Sequence, residues 1–192
     1  MKRLWYYYIY LLLIWGSFRY FVRLPEVVEE LWFKPVLWIV PLFWWNLSMK
    51  EKIVMFGKKW GESLILGLVV GLVYFGVLRW GRPMSGGISA DILGMALATA
   101  VTEEMVFSGF VAAYLEKMRK GRWTNYLLVA LMTAMMRLPI LLFVYRAGVK
   151  EIAGVVLVVA ASAVINAWIR VKSGNVSGSI LARTVMNFTA LG

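Results

Sequence analysis

The feature that most constrains this 192-residue chain is a succession of seven long apolar runs. Each run holds roughly 17 to 28 residues, and about 20 residues of α-helix are needed to cross the hydrocarbon core of a bilayer. We place the runs at Leu4–Val22, Leu31–Met49, Gly61–Leu78, Ile88–Leu115, Thr124–Tyr145, Glu151–Ile169 and Asn175–Leu191. The sequence therefore predicts an all-α, polytopic membrane helix bundle with about seven transmembrane helices.

The composition points to the same class, because 61% of the residues are hydrophobic and only 16% are charged. A soluble domain of this length cannot bury so much apolar surface. We see no internal repeat and no linker, so residues 1–192 are predicted to form a single domain. The chemistry-bearing residues fall in its second half, from about residue 88 to residue 192.

The basic residues indicate how the chain lies in the membrane. The net charge is +11, but Lys and Arg cluster in the short segments between apolar runs, which is typical of membrane flanks and not of nucleic-acid binding. Counting alternate flanks predicts a cytoplasmic N-terminus and, with seven spans, an external C-terminus. Residues 50–60 form a basic amphipathic segment that is expected to lie on the lipid surface.

An adjacent pair of acids, Glu103 and Glu104, stands inside the fourth apolar run. A carboxylate at this depth costs several kcal/mol unless it is neutral, paired or hydrated, so the pair indicates a functional site. Arg137 and Arg183 lie near the middle of the fifth and seventh runs. Two acids and two bases cost least when they come together in one polar pocket.

Two plainer interpretations stay open. The glutamate pair can be a structural polar anchor with no relation to catalysis. Arg137 and Arg183 can extend to the bilayer surface if they lie nearer the helix ends than we place them. Asn166 and Asn187 are typical of hydrogen bonds between membrane helices.

The residues around the acidic pair form a specific pattern, Glu103-Glu104-Met105-Val106-Phe107-Ser108-Gly109. This segment resembles the first motif of the CPBP family, the CAAX-processing and bacteriocin-processing intramembrane proteases. In that motif two glutamates are followed by three residues ending in Phe, then by arginine and glycine. Ser108 stands at the position of the motif arginine.

Two later segments resemble the second and third motifs of the same family. Residues 125–139 place Arg137 at the position of the second-motif histidine. Residues 174–188 place Arg183 at the position of the third-motif histidine, and Asn187 four residues later matches the motif asparagine. The three motifs occur in the family's order and span the C-terminal half.

The resemblance implies the scaffold of a CAAX-type glutamic intramembrane endopeptidase. In the family, the glutamate here numbered Glu103 and the second-motif histidine activate a water that attacks a peptide carbonyl. The third-motif histidine and asparagine hold the developing oxyanion. The candidate catalytic residues are therefore Glu103, Glu104, Asn187, Arg183 and Arg137, and the implied partner is a membrane-tethered or lipidated peptide.

This chain departs from the family where the chemistry is done, because it contains no histidine. Arginine cannot give up its proton, so neither Arg137 nor Arg183 can act as base or proton shuttle. A guanidinium near Glu103 also stabilises the ionised carboxylate and weakens it as a base. We expect catalysis to be impaired, as in a pseudoenzyme.

Ser108 also changes the surroundings of Glu104. In the family motif an arginine at this position would be the same-face partner of the second glutamate, four residues along the helix. Without it we expect Arg137 and Arg183 to supply the missing partners from neighbouring helices. The resulting hypothesis is an ion-pair lock between the fourth, fifth and seventh spans.

Two other functions stay open. The first is an active variant without histidine, in which Glu103 is the base and Arg183 and Asn187, on one helix face, stabilise the oxyanion. The second is a non-enzymatic immunity-type or transport-type membrane protein whose charged pocket binds an anionic or peptidic ligand.

No cofactor and no metal are expected. Histidine and cysteine, the commonest transition-metal ligands, are absent. The two arginines predicted beside Glu103 would oppose the binding of a cation. The expected partners are membrane lipids and a peptide, not nucleic acid, and the sequence leaves the oligomeric state open.

Overall fold

The computed structural model describes residues 2–22, 24–80, 89–118 and 121–191. It is 84% helical, and no strand occurs within these ranges. Seven helical rods follow one another: α1 (Lys2–Phe21), α2 (residues 26–47), α3 (Trp60–Arg79), α4 (Ala90–Lys117), α5 (Arg122–Val144), α6 (Val149–Ser173) and α7 (Ser177–Leu191). The prediction of an all-α bundle is confirmed, and Ile88, the predicted start of the fourth span, lies outside the described residues.

Four of the rods, α3 to α6, are long and apolar enough to cross a membrane. They differ in how deeply they are enclosed. In α4, 78% of the most apolar 18-residue window is buried inside the protein, whereas in α3 the share is 17%. α4 is therefore the central rod, and α3 packs on the outside of the bundle.

The second rod starts earlier than the sequence suggested. The apolar run begins at Leu31, but the helix begins at Glu26 and continues through a π-helical turn, Glu29–Phe33, into the α-helical part, Lys34–Leu47. Pro35 has no N–H to donate and its ring disfavours the normal bond one turn back, so a widened turn just before it is a reasonable local solution. Glu29, Glu30 and Lys34 thus belong to one helix inside the bundle, and Glu29 and Lys34 are buried.

The segment between α2 and α3 is irregular and not an amphipathic helix. Ile53 and Met55 are buried in the core, and the Asn46 side chain bonds both the N–H and the carbonyl of Ile53 at 2.8 and 3.1 Å. Met55 O accepts from Val176 N at 3.1 Å, and Arg170 Nη2 donates to Val54 O at 2.8 Å. The predicted basic surface segment is therefore anchored by its apolar residues to the ends of α6 and α7.

The outer rod α3 is held by a close crossing with α7. A Cβ added at Gly67 would lie 2.2 Å from Gly178 O, and one added at Gly178 would lie 2.0 Å from Ser63 O. Ser63 Oγ accepts from Gly178 N at 2.9 Å and donates to Asn175 O at 2.9 Å. Small residues bring the two backbones into contact, which places α7 and its Arg183 against the bundle.

Candidate functional site

Glu103 is the centre of a buried charged site. Its Oε1 accepts from Lys34 Nζ at 2.7 Å, and its Oε2 accepts from Arg137 Nη2 at 2.7 Å and Arg183 Nη2 at 2.8 Å. The three cations come from α2, α5 and α7, so four rods meet at one carboxylate. The predicted convergence of Arg137 and Arg183 on the acidic pair is confirmed by these distances.

The neighbouring Glu104 has a different environment. Its Oε1 accepts from Asn166 Nδ2 at 2.7 Å, and its Oε2 accepts from the Ser108 hydroxyl. The prediction that Ser108 leaves Glu104 unpaired and that Arg137 and Arg183 replace the lost partner is wrong in this respect, because both guanidiniums bind Glu103. A serine hydroxyl four residues along reaches the same carboxylate that the motif arginine would reach.

Charged residues from the N-terminal rods extend the site. Lys34 Nζ also donates to Glu30 Oε2 at 2.7 Å, and Arg19 Nη2 donates to Glu30 Oε1 at 3.2 Å. Arg19 forms a further close ion pair with Glu29, and Thr99 Oγ1 donates to Glu30 Oε2 at 2.8 Å. We refer to the connected residues as the ion-pair cluster; its members are Arg19, Glu29, Glu30, Lys34, Glu103, Arg137 and Arg183.

The sequence analysis missed this N-terminal part of the cluster. Arg19 stands near the end of the first apolar run and Lys34 near the start of the second, where basic residues usually mark the bilayer surface. The spacing of Glu30 and Lys34, four residues apart on one helix face, was the one available signal. It was weak, because the same spacing is common on solvated helices.

The cluster and Glu104 together hold four cations and four carboxyl groups, so their charges balance when every carboxyl group is ionised. Burying charges is tolerable when each has a partner and the remaining polar atoms are bonded. Aromatic rings stabilise two of the cations further. Arg19 Cζ lies 4.6 Å from the centre of the Trp15 ring, and Lys34 Nζ lies 5.2 Å from the centre of the Trp38 ring.

Local breaks in the helices aim these side chains inward. The regular part of α5 is interrupted between Met135 and Ile140. Pro139, in this interval, has no backbone N–H to donate. Arg137 N donates to Ala134 O, three residues back, at 3.0 Å. In α4 a π-helical stretch, Met105–Ala112, begins directly after the two glutamates. π-Helical turns of this kind are frequent at functional sites.

Arg183 and Asn187, the two residues of the third motif, have different surroundings. Arg183 enters the cluster and also donates from Nη1 to Ser162 Oγ at 2.7 Å. Asn187 does not join it: its Nδ2 donates to Ala96 O at 3.4 Å, which connects α7 with α4. Arg183 and Asn187 share a helix, but only Arg183 reaches the carboxylate.

Little space remains around Glu103. The cavity bounded by Glu103, Lys34, Arg137, Trp15, Trp38 and Phe107 has a volume of about 10 Å³. A cavity needs about 10–15 Å³ to hold one water molecule. Arg137 is the most open of the three cations, with 23% of its side chain exposed against 2% for Lys34 and 1% for Arg183.

The donors around Glu103 do not suit a metal ion. In the parts of the chain that the structure describes, no group of three or more His, Cys, Asp or Glu side chains is arranged to hold one. Both oxygens of Glu103 already accept from cations, and these positive charges would repel another.

Apolar rods long enough to cross a membrane, packed around a buried glutamate pair, define an integral membrane protein with a polar site inside its helix bundle. A comparison with protein families matches residues 85–189, more than half of the chain, to the family described as Rce1-like, type II CAAX prenyl endopeptidase. The chain belongs to this family, and the resemblance inferred from its motifs is confirmed. Comparisons with curated proteins and with solved structures give no significant match.

Proposed function

We propose that this protein keeps the scaffold of a CAAX-type intramembrane endopeptidase while its endopeptidase activity is lost or strongly reduced. The observation that carries the proposal is the occupation of Glu103, whose two oxygens accept from Lys34, Arg137 and Arg183. In place of a water and a histidine, the carboxylate has three cations as neighbours.

The chemistry of these partners supports the proposal. A general base must take a proton from water, and three adjacent cations favour the ionised carboxylate over its protonated form. Neither guanidinium can accept a proton in the base's place. Glu104, the other acid, is held by Ser108 and Asn166 and is not positioned beside a histidine, because the sequence has none.

The available space supports it as well. Hydrolysis needs room for a water and for the peptide carbonyl that it attacks, with the reacting atoms about 3–3.5 Å apart. The cavity at Glu103 is about 10 Å³, enough for at most about one water. A substrate could enter only if Arg137 or a neighbouring rod moved.

The direct test is a cleavage assay with the purified protein in detergent. A prenylated peptide that ends in Cys, two aliphatic residues and a variable residue is offered to the wild type and to Glu103→Ala. We expect equal, background cleavage in both. Cleavage that depends on Glu103, with a kcat in the usual enzymatic range of about 1–10³ s⁻¹, would contradict the proposal and favour the active variant in which Arg183 stabilises the oxyanion.

A series of variants that restores the family residues tests the same proposal by a gain of cleavage. The triple variant Ser108→Arg, Arg137→His, Arg183→His restores the family residues, and a quadruple variant adds Lys34→Met to release Glu103 Oε1. We expect cleavage to appear in one of these and to disappear when Glu103→Ala is added. Wild-type activity that exceeds that of both revertants would overturn the proposal.

Peptide binding without cleavage is a separate measurement. The same prenylated peptide, labelled with a fluorophore, is titrated against the wild type and against Arg137→Ala, which opens the most exposed side of the cluster. Binding by the wild type would assign a non-enzymatic, peptide-binding role to the scaffold. Binding by Arg137→Ala alone would show that the cluster closes the ancestral substrate path.

We further propose a cytoplasmic N-terminus and an external C-terminus, on the strength of twelve basic residues in one set of alternate flanks against five in the other, once Arg19 is counted with the ion-pair cluster. The chain has no cysteine, so single cysteines report without background. Cysteine at the exposed Glu51 is expected to resist a membrane-impermeant thiol reagent in intact cells, and cysteine at the exposed Val149 to react. The reverse pattern would invert the topology.

A further inference from the structure

A second polar cavity lies apart from the ion-pair cluster, where the end of α4 meets the beginning of α5. Its volume is about 360 Å³, within the roughly 300–1,000 Å³ of small-molecule sites. No residue of the ion-pair cluster lines it. Its lining separates into two kinds: Glu116, Arg122, Asn125 and Tyr126 are polar, and Ala112, Val129 and Val171 are apolar.

The polar residues mark the end of the bundle. Glu116 lies one residue before the end of α4, and Arg122 is the first residue of α5. Lys117 Nζ donates to Lys52 O at 3.2 Å, so the segment between α2 and α3 lies at the same end. Ala112 and Val129 lie about one and two helical turns further along their rods and form the apolar floor.

Two opposite charges, Glu116 and Arg122, lie at the mouth of the cavity. Within the described ranges neither Glu116 nor Arg122 forms an ion pair, although both line the same cavity. Opposite charges that line one cavity without neutralising each other suit a ligand that carries both signs. The apolar floor suits a hydrocarbon chain on the same ligand.

We propose that this cavity binds a membrane phospholipid whose headgroup carries a phosphate and a primary ammonium. Arg122 donates to the phosphate oxygens, Glu116 accepts from the ammonium, and an acyl chain lies over Ala112, Val129 and Val171. A primary ammonium fits better than a quaternary one because it can donate to the carboxylate. A quaternary ammonium is recognised by an aromatic cage, and Tyr126 is the one ring among the described residues that line the cavity.

Native mass spectrometry of the purified protein tests the proposal by counting lipid adducts. The probes are phosphatidylethanolamine, phosphatidylcholine and phosphatidylglycerol with identical acyl chains, each added at the same concentration. We expect phosphatidylethanolamine to bind at least about tenfold more tightly than phosphatidylcholine, the equivalent of one charge-assisted hydrogen bond. Equal affinity for all three lipids would overturn the proposal.

Variants locate the site. Glu116→Gln should abolish the preference for phosphatidylethanolamine over phosphatidylcholine, and Arg122→Gln should weaken both. The matched controls are Lys59→Gln and Glu62→Gln, which alter an exposed acid–base pair, 3.0 Å apart, at the start of α3. They should change neither affinity. Equal effects of the two pairs of variants would show that surface charge alone attracts the lipid, against the proposal.

A competition experiment separates a lipid from a free headgroup. O-Phosphoethanolamine carries the same two charges without acyl chains. At the concentration of the lipid it should leave the adduct in place, because the apolar floor contributes to binding. Complete displacement would assign the cavity to a soluble phosphate ester and overturn the assignment to a lipid. All variants are compared at matched thermal stability, so that unfolding is not mistaken for lost binding.

Discussion

The family match covers α4 to α7, and the three rods before it lie outside, yet both regions build the same cluster. Each region contributes two acidic and two basic residues at or beside the cluster. The matched region contributes Glu103 and Glu104 with Arg137 and Arg183. The preceding region contributes an equal number of acids and bases on α1 and α2: Arg19, Glu29, Glu30 and Lys34.

Lys34 joins these two groups. Its ammonium lies 2.7 Å from Glu30 on its own helix and 2.7 Å from Glu103 on α4. In the described cluster it is the one ion-paired residue that connects the matched region with the rods before it. One oxygen of the motif glutamate Glu103 is thus bound by a residue from outside the motif-bearing region.

The largest expected effect is therefore that of Lys34→Met. The substitution keeps most of the side-chain volume but leaves Glu30 and Glu103 each short of one buried partner. Removing one partner of a buried pair typically costs about 3–5 kcal/mol, and we expect a loss of that order. It is measured as the free energy of unfolding in mixed micelles. Lys59→Met, which breaks the exposed pair with Glu62, is the control and should change stability by less than about 1 kcal/mol.

The next prediction concerns the packing of the preceding region against the matched region, at the point where α3 crosses α7. Gly67→Ala would bring a Cβ to 2.2 Å from Gly178 O, so the two rods must separate. Overpacking of this kind typically costs about 1–3 kcal/mol. Gly76 lies on the same rod with nothing within 4 Å of its added Cβ. Gly76→Ala should be neutral or stabilise by up to about 1 kcal/mol, and equal losses for both variants would place the crossing in doubt.

The two regions also differ in what the sequence could predict. Glu103, Arg137 and Arg183 were found because a charge in the middle of an apolar run has no inexpensive alternative to a partner. Glu29, Glu30 and Lys34 stand at the start of a run, where charges usually mark the bilayer surface. Hydropathy therefore gave no reason to place Glu29, Glu30 or Lys34 in a buried site, although the helix carries them into the bundle.

The rods themselves were easier to predict than the partners. The boundaries of α3, α5 and α6 lie within four residues of the predicted spans, because apolar length alone defines a membrane helix. Which donor reaches which oxygen depends on the rotation of each helix about its axis. The sequence does not encode that rotation in any simple period, which is why the arginines were expected beside both acids, whereas they pair with Glu103 alone.

A smaller effect is expected from the coupling between Arg137 and Glu103. Arg137→Ala and Glu103→Gln each remove one side of an ion pair at 2.7 Å, so their losses should not add. We expect the loss in the double variant to fall short of the sum by about 0.5–2 kcal/mol, since Arg137 is partly exposed and its interaction is screened. Strict additivity of the three unfolding free energies would mean that this contact contributes nothing.

The smallest effect should be that of Glu104→Gln. Asn166 and Ser108 are neutral donors to Glu104, and a glutamine amide oxygen of the same shape can still accept from one of them. We expect a loss of about 1 kcal/mol or less, the usual scale of one neutral hydrogen bond. Glu103→Gln is the matched change one residue earlier, and it leaves two arginines and Lys34 with a neutral partner. If Glu104→Gln destabilised the protein as much as Glu103→Gln, the two carboxyl groups would share one set of cations, and the contrast between their surroundings would not hold in solution.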